Sequence, residues 1–217
     1  MGKIKEIAIF GAGGFGLEVA MLVEQINEIG NCWKIIGFFD DGVEKGTSVN
    51  GIEVLGGLKE LNDIDFRLNV IFAIGSPKTK QTVVRTVDNG NIRYPVLIHP
   101  SAVLGNRKYL NIGEGTIICA GCIVTTNILI GRHVILNLAC TVGHEAIIGD
   151  FSAFMPSCNI SGEVEIGEGN YWGTGAKIIN RRMVGENVTI GAGAVIIDDI
   201  PDDATAVGIP ARVVKRN

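Results

Sequence analysis

Residues 112–196, cut every six, read IGEGTI ICAGCI VTTNIL IGRHVI LNLACT VGHEAI IGDFSA FMPSCN ISGEVE IGEGNY WGTGAK IINRRM VGENVT IGAGAV I. The first position is apolar in all fifteen cases, from Ile112 through Trp172 to Ile196, and the register never slips. The second position is Gly in eight of them. A fixed short period held over this length marks a solenoid, and hexapeptides of this kind wind a parallel β-helix. Three hexapeptides close one triangular coil, so the pattern predicts about five coils over residues 101–201.

The same ruler sorts the other side chains. Four residues after each anchor the chain is mostly small or branched: Thr116, Cys122, Val134, Cys140, Ala146, Ser152, Cys158, Val164. Asn170 and Arg182 break that rule, and the corner at Arg181-Arg182 is expected to bulge outward. Cys122, Cys140 and Cys158 stand 18 residues apart, one full coil each. They stack in one inner column and read as packing rather than as metal ligands, since structural zinc wants four ligands and no His is in register. No metal is expected. The tail from Asp198 leaves the period, turns at Gly208-Ile209-Pro210 and is expected to fold back as a cap on the raw sheet edge.

Upstream lies a different pattern. The apolar run Glu6–Phe10 leads into Gly11-Ala12-Gly13-Gly14-Phe15-Gly16 and a helix-like segment Leu17–Ile29. A second strand, Trp33–Phe39, ends in Asp40-Asp41; a third, Asn69–Ile74, ends in Gly75-Ser76-Pro77 before a helix at Lys78–Asp88; a fourth is expected at Tyr94–Ile98. Alternating strands and helices predict an α/β domain with a parallel sheet over residues 1–98. The glycine loop places backbone N–H groups and a helix N-terminus where phosphate can sit, and an acid after the second strand commonly meets a ribose hydroxyl. The plainer reading, that these glycines only make a tight strand-to-helix turn, also stands. A full dinucleotide fold needs two mononucleotide halves, and there is room for little more than one, which favours a nucleotide or nucleotide-sugar over NAD. His99-Pro100 marks the joint, and residues 99–217 form the second domain.

The bulk numbers exclude some functions. Net charge is −4 and the pI is about 5.4, without the basic stripe of a nucleic-acid binder. The longest uncharged run, Gly115–Gly131, has 17 residues, obeys the six-residue period and is short for a spanning helix. No export signal is read at Met1–Glu6, so a cytoplasmic protein is expected, with neither nucleic acid nor membrane as partner. Three His occur. His133 reads as a turn residue. His144 lies two after the anchor Val142, so it points outward at a corner, and Glu145 follows. A neutral His can act as general base near pH 7, and a carboxylate on its other nitrogen fixes the tautomer. Consecutive residues on a flat strand point apart, so Glu145 assists only if the corner bends it back. An exposed turn His remains the plainer alternative.

Taken together, Gly11–Gly16, Asp40-Asp41, Ala73-Ile74-Gly75, Ile98-His99-Pro100-Ser101-Ala102, Asn137, His144-Glu145, Ile148-Gly149-Asp150, Ile190-Gly191-Ala192-Gly193 and Gly208-Ile209-Pro210-Ala211 make the whole chain resemble the bacterial hexapeptide acyltransferases of the sialic-acid O-acetyltransferase and UDP-amino-sugar N-acetyltransferase type. The resemblance implies a Rossmann-like domain followed by a left-handed β-helix, a homotrimer, and acetyl-CoA in the groove between neighbouring prisms. It implies His144 as base with Glu145, Gly173, Thr174 and Ala192 along the coenzyme, and Gly13, Gly14, Phe15, Asp40, Asp41, Gly75 and Asn137 at a nucleotide-linked sugar acceptor. Members that acetylate UDP-amino-sugars often carry a second His nine residues after the base; here that position is Ala153, so an oxyanion needs a backbone N–H, around Gly162 or Gly173. Phe15 stands where such relatives can carry His. Three rivals remain: an NAD-dependent enzyme, a zinc hydrolase on the same solenoid, and a non-catalytic nucleotide-sugar-binding scaffold.

Overall fold

The computed structural model describes residues 4–30 and 32–216. The chain divides into two compact units, Met1–Pro100 and Ser101–Asn217.

The first unit runs β1 (Lys5–Phe10), α1 (Gly14–Gly30), β2 (Trp33–Phe39), a small hairpin β3 (Ser48–Val49) and β4 (Ile52–Glu53), α2 (Leu58–Asn62), β5 (Leu68–Phe72), α3 (Pro77–Thr86) and β6 (Ile92–Arg93). Its main sheet is parallel with order β2-β1-β5-β6. Successive residues of β1 alternate sides: Ala8 and Phe10 join Phe39, Leu61, Val70 and Phe72 in one apolar cluster, while Ile7 and Ile9 are buried outside it. Phe10 and Phe72 stack at 5.1 Å between ring centroids. The fourth strand is Ile92–Arg93 rather than the expected Tyr94–Ile98, of which only Leu97–Ile98 is extended. Both helices start earlier than expected. Gly14 and Phe15 already belong to α1, and Ser76 caps α3, its Oγ accepting the N–H of Thr79 at 3.3 Å with Pro77 at the first helical position. Lys80 of α3 is buried, and its Nζ has no hydrogen-bond partner among the described residues. That burial holds the amine at about 7, down from 10.5.

The second unit is a parallel β-solenoid with three faces. One carries Ile117–Ile118, Ile135–Leu136, Ala153–Phe154, Tyr171–Trp172 and Thr189–Ile190; the second carries Val103–Leu104 and then every strand from Ile123–Val124 to Val195–Ile196; the third runs from Leu110–Ile112 to Met183–Val184. Ladder partners in the periodic stretch are 18 residues apart, as in Leu136↔Phe154, Val142↔Ile160 and Ile148↔Ile166. Of the fifteen anchors only Ile112 is not fully buried. Two features lengthen the prism beyond the coils counted from sequence. Val103–Leu104 opens an earlier turn, paired with Ile123–Val124 twenty residues on, the two extra residues being taken up at a 3-10 turn, Arg107–Tyr109. At the other end Ala204–Val207 still pairs in parallel with the strand at Thr189–Ile190, giving about six turns. Arg212–Arg216 then folds back antiparallel on it, the cap expected of the tail.

The corners share one backbone device. The residue three after each anchor from Ile112 to Ile190 has positive φ: Gly115, Gly121, Gly169, Gly175 and Gly193, but also Asn127, His133, Ala139, Glu145, Phe151, Ser157, Glu163, Arg181 and Asn187. Left-handed backbone costs an ordinary side chain about 1 kcal/mol or more, so the ladder holds each of these corners against local preference. Inside, Cys122, Cys140 and Cys158 have no exposed surface, and their thiols donate to the carbonyls of Asn137, Met155 and Gly173 at 3.1–3.3 Å. Flanked by the other two thiols and buried, Cys140 is pushed well up and stays protonated. Asn170 is tolerated inside because its Nδ2 donates to the carbonyls of Gly167 and Gly185. The bulge expected at Arg181-Arg182 is absent. Glu165 still pairs with Met183, and Arg182 escapes the interior by reaching outward until its Nη1 lies 4.0 Å from Asp199 Oδ1. His133 is a turn residue, but a buried one, stacked on Phe151 at 5.3 Å.

Candidate functional site

His144 sits at the corner between the second and third faces, with more than half of its side chain exposed. The left-handed conformation of Glu145, φ 59°, swings its carboxylate back to the preceding residue, and His144 Nδ1 meets Glu145 Oε2 at 3.1 Å. An ionised carboxylate only accepts, so the proton of this bond belongs to Nδ1 and the neutral ring carries its lone pair on Nε2. That nitrogen faces the next coil. A Cβ added at Gly162 would lie 2.5 Å from Nε2 and 2.6 Å from Cε1, so the imidazole rests where a side chain at 162 would otherwise stand.

Two further residues meet at this corner that periodicity alone does not single out. Glu163, one coil on, is also left-handed, φ 58°, and its N–H donates to the His144 carbonyl at 2.8 Å. Arg181, another coil on, donates from Nε to both Glu163 oxygens at 3.1 and 3.0 Å. The Arg181 guanidinium holds the Glu163 carboxyl below its usual range. Among the described residues, His144, Glu145 and Glu163 are the one group of potential metal donors within 4.8 Å of one another. The bond of Arg181 to Glu163 sets a positive charge where a cation would need an open carboxylate. Two grooves flank the pair on the third face. One, about 600 Å³, runs past Glu145 to Asn127, Asn111, Tyr109 and Lys108; the other, about 460 Å³, lies over Glu163, Glu165 and Arg181.

The residues expected along the coenzyme gather elsewhere. Gly173, Thr174 and Ala192 share the corner between the first and second faces, where Gly173 must be Gly because a Cβ there would fall 2.5 Å from the Ala192 nitrogen. Asn137 lies two coils below Gly173 on the same corner, nearly buried, its Oδ1 accepting the N–H of Leu138 at 2.7 Å. One copy of the chain therefore does not bring these residues to His144. The Gly173 N–H is committed to the Ile190 carbonyl at 2.8 Å, which removes it as an oxyanion donor. Ala153 is buried on the first face, so a His at that position would stand away from its own His144.

In the first unit, strand order reverses between β1 and β5, and in open α/β sheets ligands bind outside the carboxyl ends of the strands at such a point. Gly11 and Gly75 mark those two ends. The glycines of the loop divide by role. A side chain on Gly16 would strike the Gly11 carbonyl, and one on Gly11, φ 110°, would reach the Ala73 carbonyl at 2.8 Å. At Gly13, Gly14 and Gly75 an added Cβ meets nothing within 4 Å, so these three leave open space over the start of α1. Phe15 is half-buried beside them. Asp40 ties the loop to β2, its oxygens accepting the N–H groups of Ala12 and Gly42 at 2.8 Å each. A carboxylate oxygen can accept more than one bond. Asp41 accepts from Leu58 N at 2.7 Å at the start of α2, turned from the loop to that helix.

No helix among the described residues is long and apolar enough to cross a membrane. Residues 6–87 match the family model described as the PglD N-terminal domain. The acetyltransferase domain of PglB from Neisseria gonorrhoeae FA1090, solved with acetyl coenzyme A, superposes with a TM-score of 0.86 and 34% identity over 98% of this chain and 100% of that one. PerB from Caulobacter crescentus, solved with CoA and GDP-perosamine, gives 0.84 and 27% over 98% and 99%. In sequence, the GDP-perosamine N-acetyltransferase of Escherichia coli O157:H7 is 34% identical over 126 residues, which are 57% of this chain and only 55% of that protein's length.

Proposed function

The chain belongs to the bacterial sugar acetyltransferases of the hexapeptide-repeat superfamily, and from that premise we propose that it carries an acetyl group from acetyl-CoA to the amine of a nucleotide-linked sugar. The observation that carries the reading is the His144–Glu145 pair, exposed at a corner with Nδ1 tied to a carboxylate at 3.1 Å and Nε2 left as a base. The acceptor nitrogen attacks the thioester carbonyl. The new C–N bond forms as His144 Nε2 takes the proton from nitrogen. The C–S bond then breaks, and the departing CoA thiolate recovers that proton. Glu145 keeps the imidazolium oriented and stabilised throughout, an arrangement typically worth 10²–10⁴-fold. The Gly162 N–H, under the ring, is the oxyanion donor in this scheme.

The open space at Gly13, Gly14 and Gly75, with Asp40 at the loop, supports the first unit as the holder of the nucleotide. In a homotrimer, Thr174 and Ala192 of one copy line the coenzyme beside His144 of a neighbour, which the separation of the two corners within one chain favours. PerB was solved with CoA and GDP-perosamine, and the PglB domain with acetyl coenzyme A. Reaction in the cytoplasm accords with the use of acetyl-CoA.

The test is thiol release from acetyl-CoA over a panel of UDP-, GDP- and dTDP-linked amino sugars. At least one acceptor should react, and His144→Ala should lower kcat by at least about 100-fold with the fold intact. A loss under threefold would overturn the assignment of His144; silence across the panel would favour a binding module.

A further inference from the structure

We infer that Glu163 and Arg181 form a positioning pair that sets how firmly His144 holds the proton it takes. The inference rests on the reading of His144 as the base. It starts from the coil register: 145, 163 and 181 are successive left-handed corners of one column, so residues far apart in sequence come to the same edge of the solenoid. Gly162 has no side chain, so the ring settles onto the next coil, and the Glu163 carboxylate comes within 4.8 Å of the ring nitrogen and the Glu145 carboxylate. Glu163 does not touch the imidazole as Glu145 does; both its oxygens bond to Arg181.

The charged groups facing His144 are Glu145 on its own turn, Glu163 on the next and Arg181 on the one after, with Glu165 and Arg182 lining the groove beyond. On the preceding coil the corner offers Thr126 and Asn127, which carry no charge. A second bare carboxylate beside the imidazole would favour the imidazolium and leave less of His144 as free base at the working pH. General acid–base work needs a group whose protonation lies near the working pH. Arg181 offsets the second carboxylate and restores that balance.

The opposing view is that Glu163–Arg181 is one more exposed ion pair with a small effect on stability. The two views separate on pH profiles. Two charges about 5 Å apart in a water-like medium shift a titration by about half a pH unit. In Glu163→Gln, the acid limb of the kcat/KM profile should therefore move down by about half a unit. In Arg181→Gln, which leaves the carboxylate uncompensated, it should move up. KM for acetyl-CoA and the melting temperature should stay near wild type. The same opposite displacements should appear in an NMR titration of the His144 ring, identified by its loss in His144→Ala, whether or not an acceptor is in hand. Superimposable curves, or shifts of both variants in one direction, would overturn the inference. Activity surviving in His144→Ala would instead remove the reading beneath it, while the NMR curves would still report the pair.

Discussion

Replacing Gly162 with Ala is a one-carbon perturbation aimed at the base without touching it. The new Cβ would lie 2.5, 2.6 and 2.9 Å from Nε2, Cε1 and Cδ2 of His144. Relaxed carbon contacts need roughly 3.5–4.0 Å, so something must give by about 1 Å. The backbone is committed to the ladder, since the residues on either side of 162 donate to Ile178 and His144. The imidazole is the far end of an exposed side chain, so the ring is what moves. Its bond to Glu145, already 3.1 Å, lengthens or breaks. A misplacement of about 1 Å can cost about 100-fold in rate, and we expect kcat to fall roughly 10- to 100-fold on that scale. Gly162 is not in the left-handed region, so Ala is compatible with the backbone and the melting temperature should move by no more than a few degrees. Thiol-release kinetics and a thermal melt decide it. Activity within threefold of wild type, alongside a dead His144→Ala, would refute the seating of the ring on Gly162.

The glycine loop makes a paired prediction. Gly16→Ala drives a methyl into the Gly11 carbonyl and should cost about 3 kcal/mol or more by overpacking. Gly13→Ala points into open space and should keep the melting temperature while weakening nucleotide-sugar binding, read as a raised KM for the acceptor alone; an unchanged KM would leave Gly13 as a turn residue. Lys80 predicts a pH dependence of stability. Its folded value is lowered to about 7, so below that pH both states are charged and the folded state carries the full cost of burying the amine. Between about 7 and 10.5 the folded state loses its proton first, and stability rises by about 1.4 kcal/mol per pH unit. Lys80→Met should stabilise most at or below neutral pH and remove that slope in urea denaturation between pH 7 and 9. Equal slopes in the two proteins would show that the amine finds a partner.

Much of this was legible in the residues. Period six is a geometric constraint: an anchor that slipped by one would turn an apolar side chain to water, so the unbroken run from Ile112 to Ile196 leaves little other than a solenoid. The 18-residue spacing of Cys122, Cys140 and Cys158 follows from the same closure of three faces. In the first unit, apolar runs ending at Gly11, Asp40 and Gly75 located three strands, because strands buried on both faces read as continuous hydrophobic segments. The fourth went astray at Tyr94–Ile98, since a two-residue pairing at Ile92–Arg93 leaves no pattern to find.

What only the tertiary structure decided concerns direction and company. Nothing local requires Glu145, Glu163 or Arg181 to be left-handed; the ladder above and below each corner imposes it, and that turn brings Glu145 back to His144. A repeat also separates in sequence what it stacks in space, so Glu163 comes beside His144 from one coil away, and Arg181, two coils away, bonds to Glu163. The same closure sends Gly173, Thr174 and Ala192 to a different corner from the base, although they follow it by fewer than fifty residues. Lys80 looked like any helix lysine until packing closed over it. Period and polarity are properties of single residues and their neighbours in the chain, so sequence determines them; which corners share a column, and which side chain rests on which glycine, are properties of the closed coil.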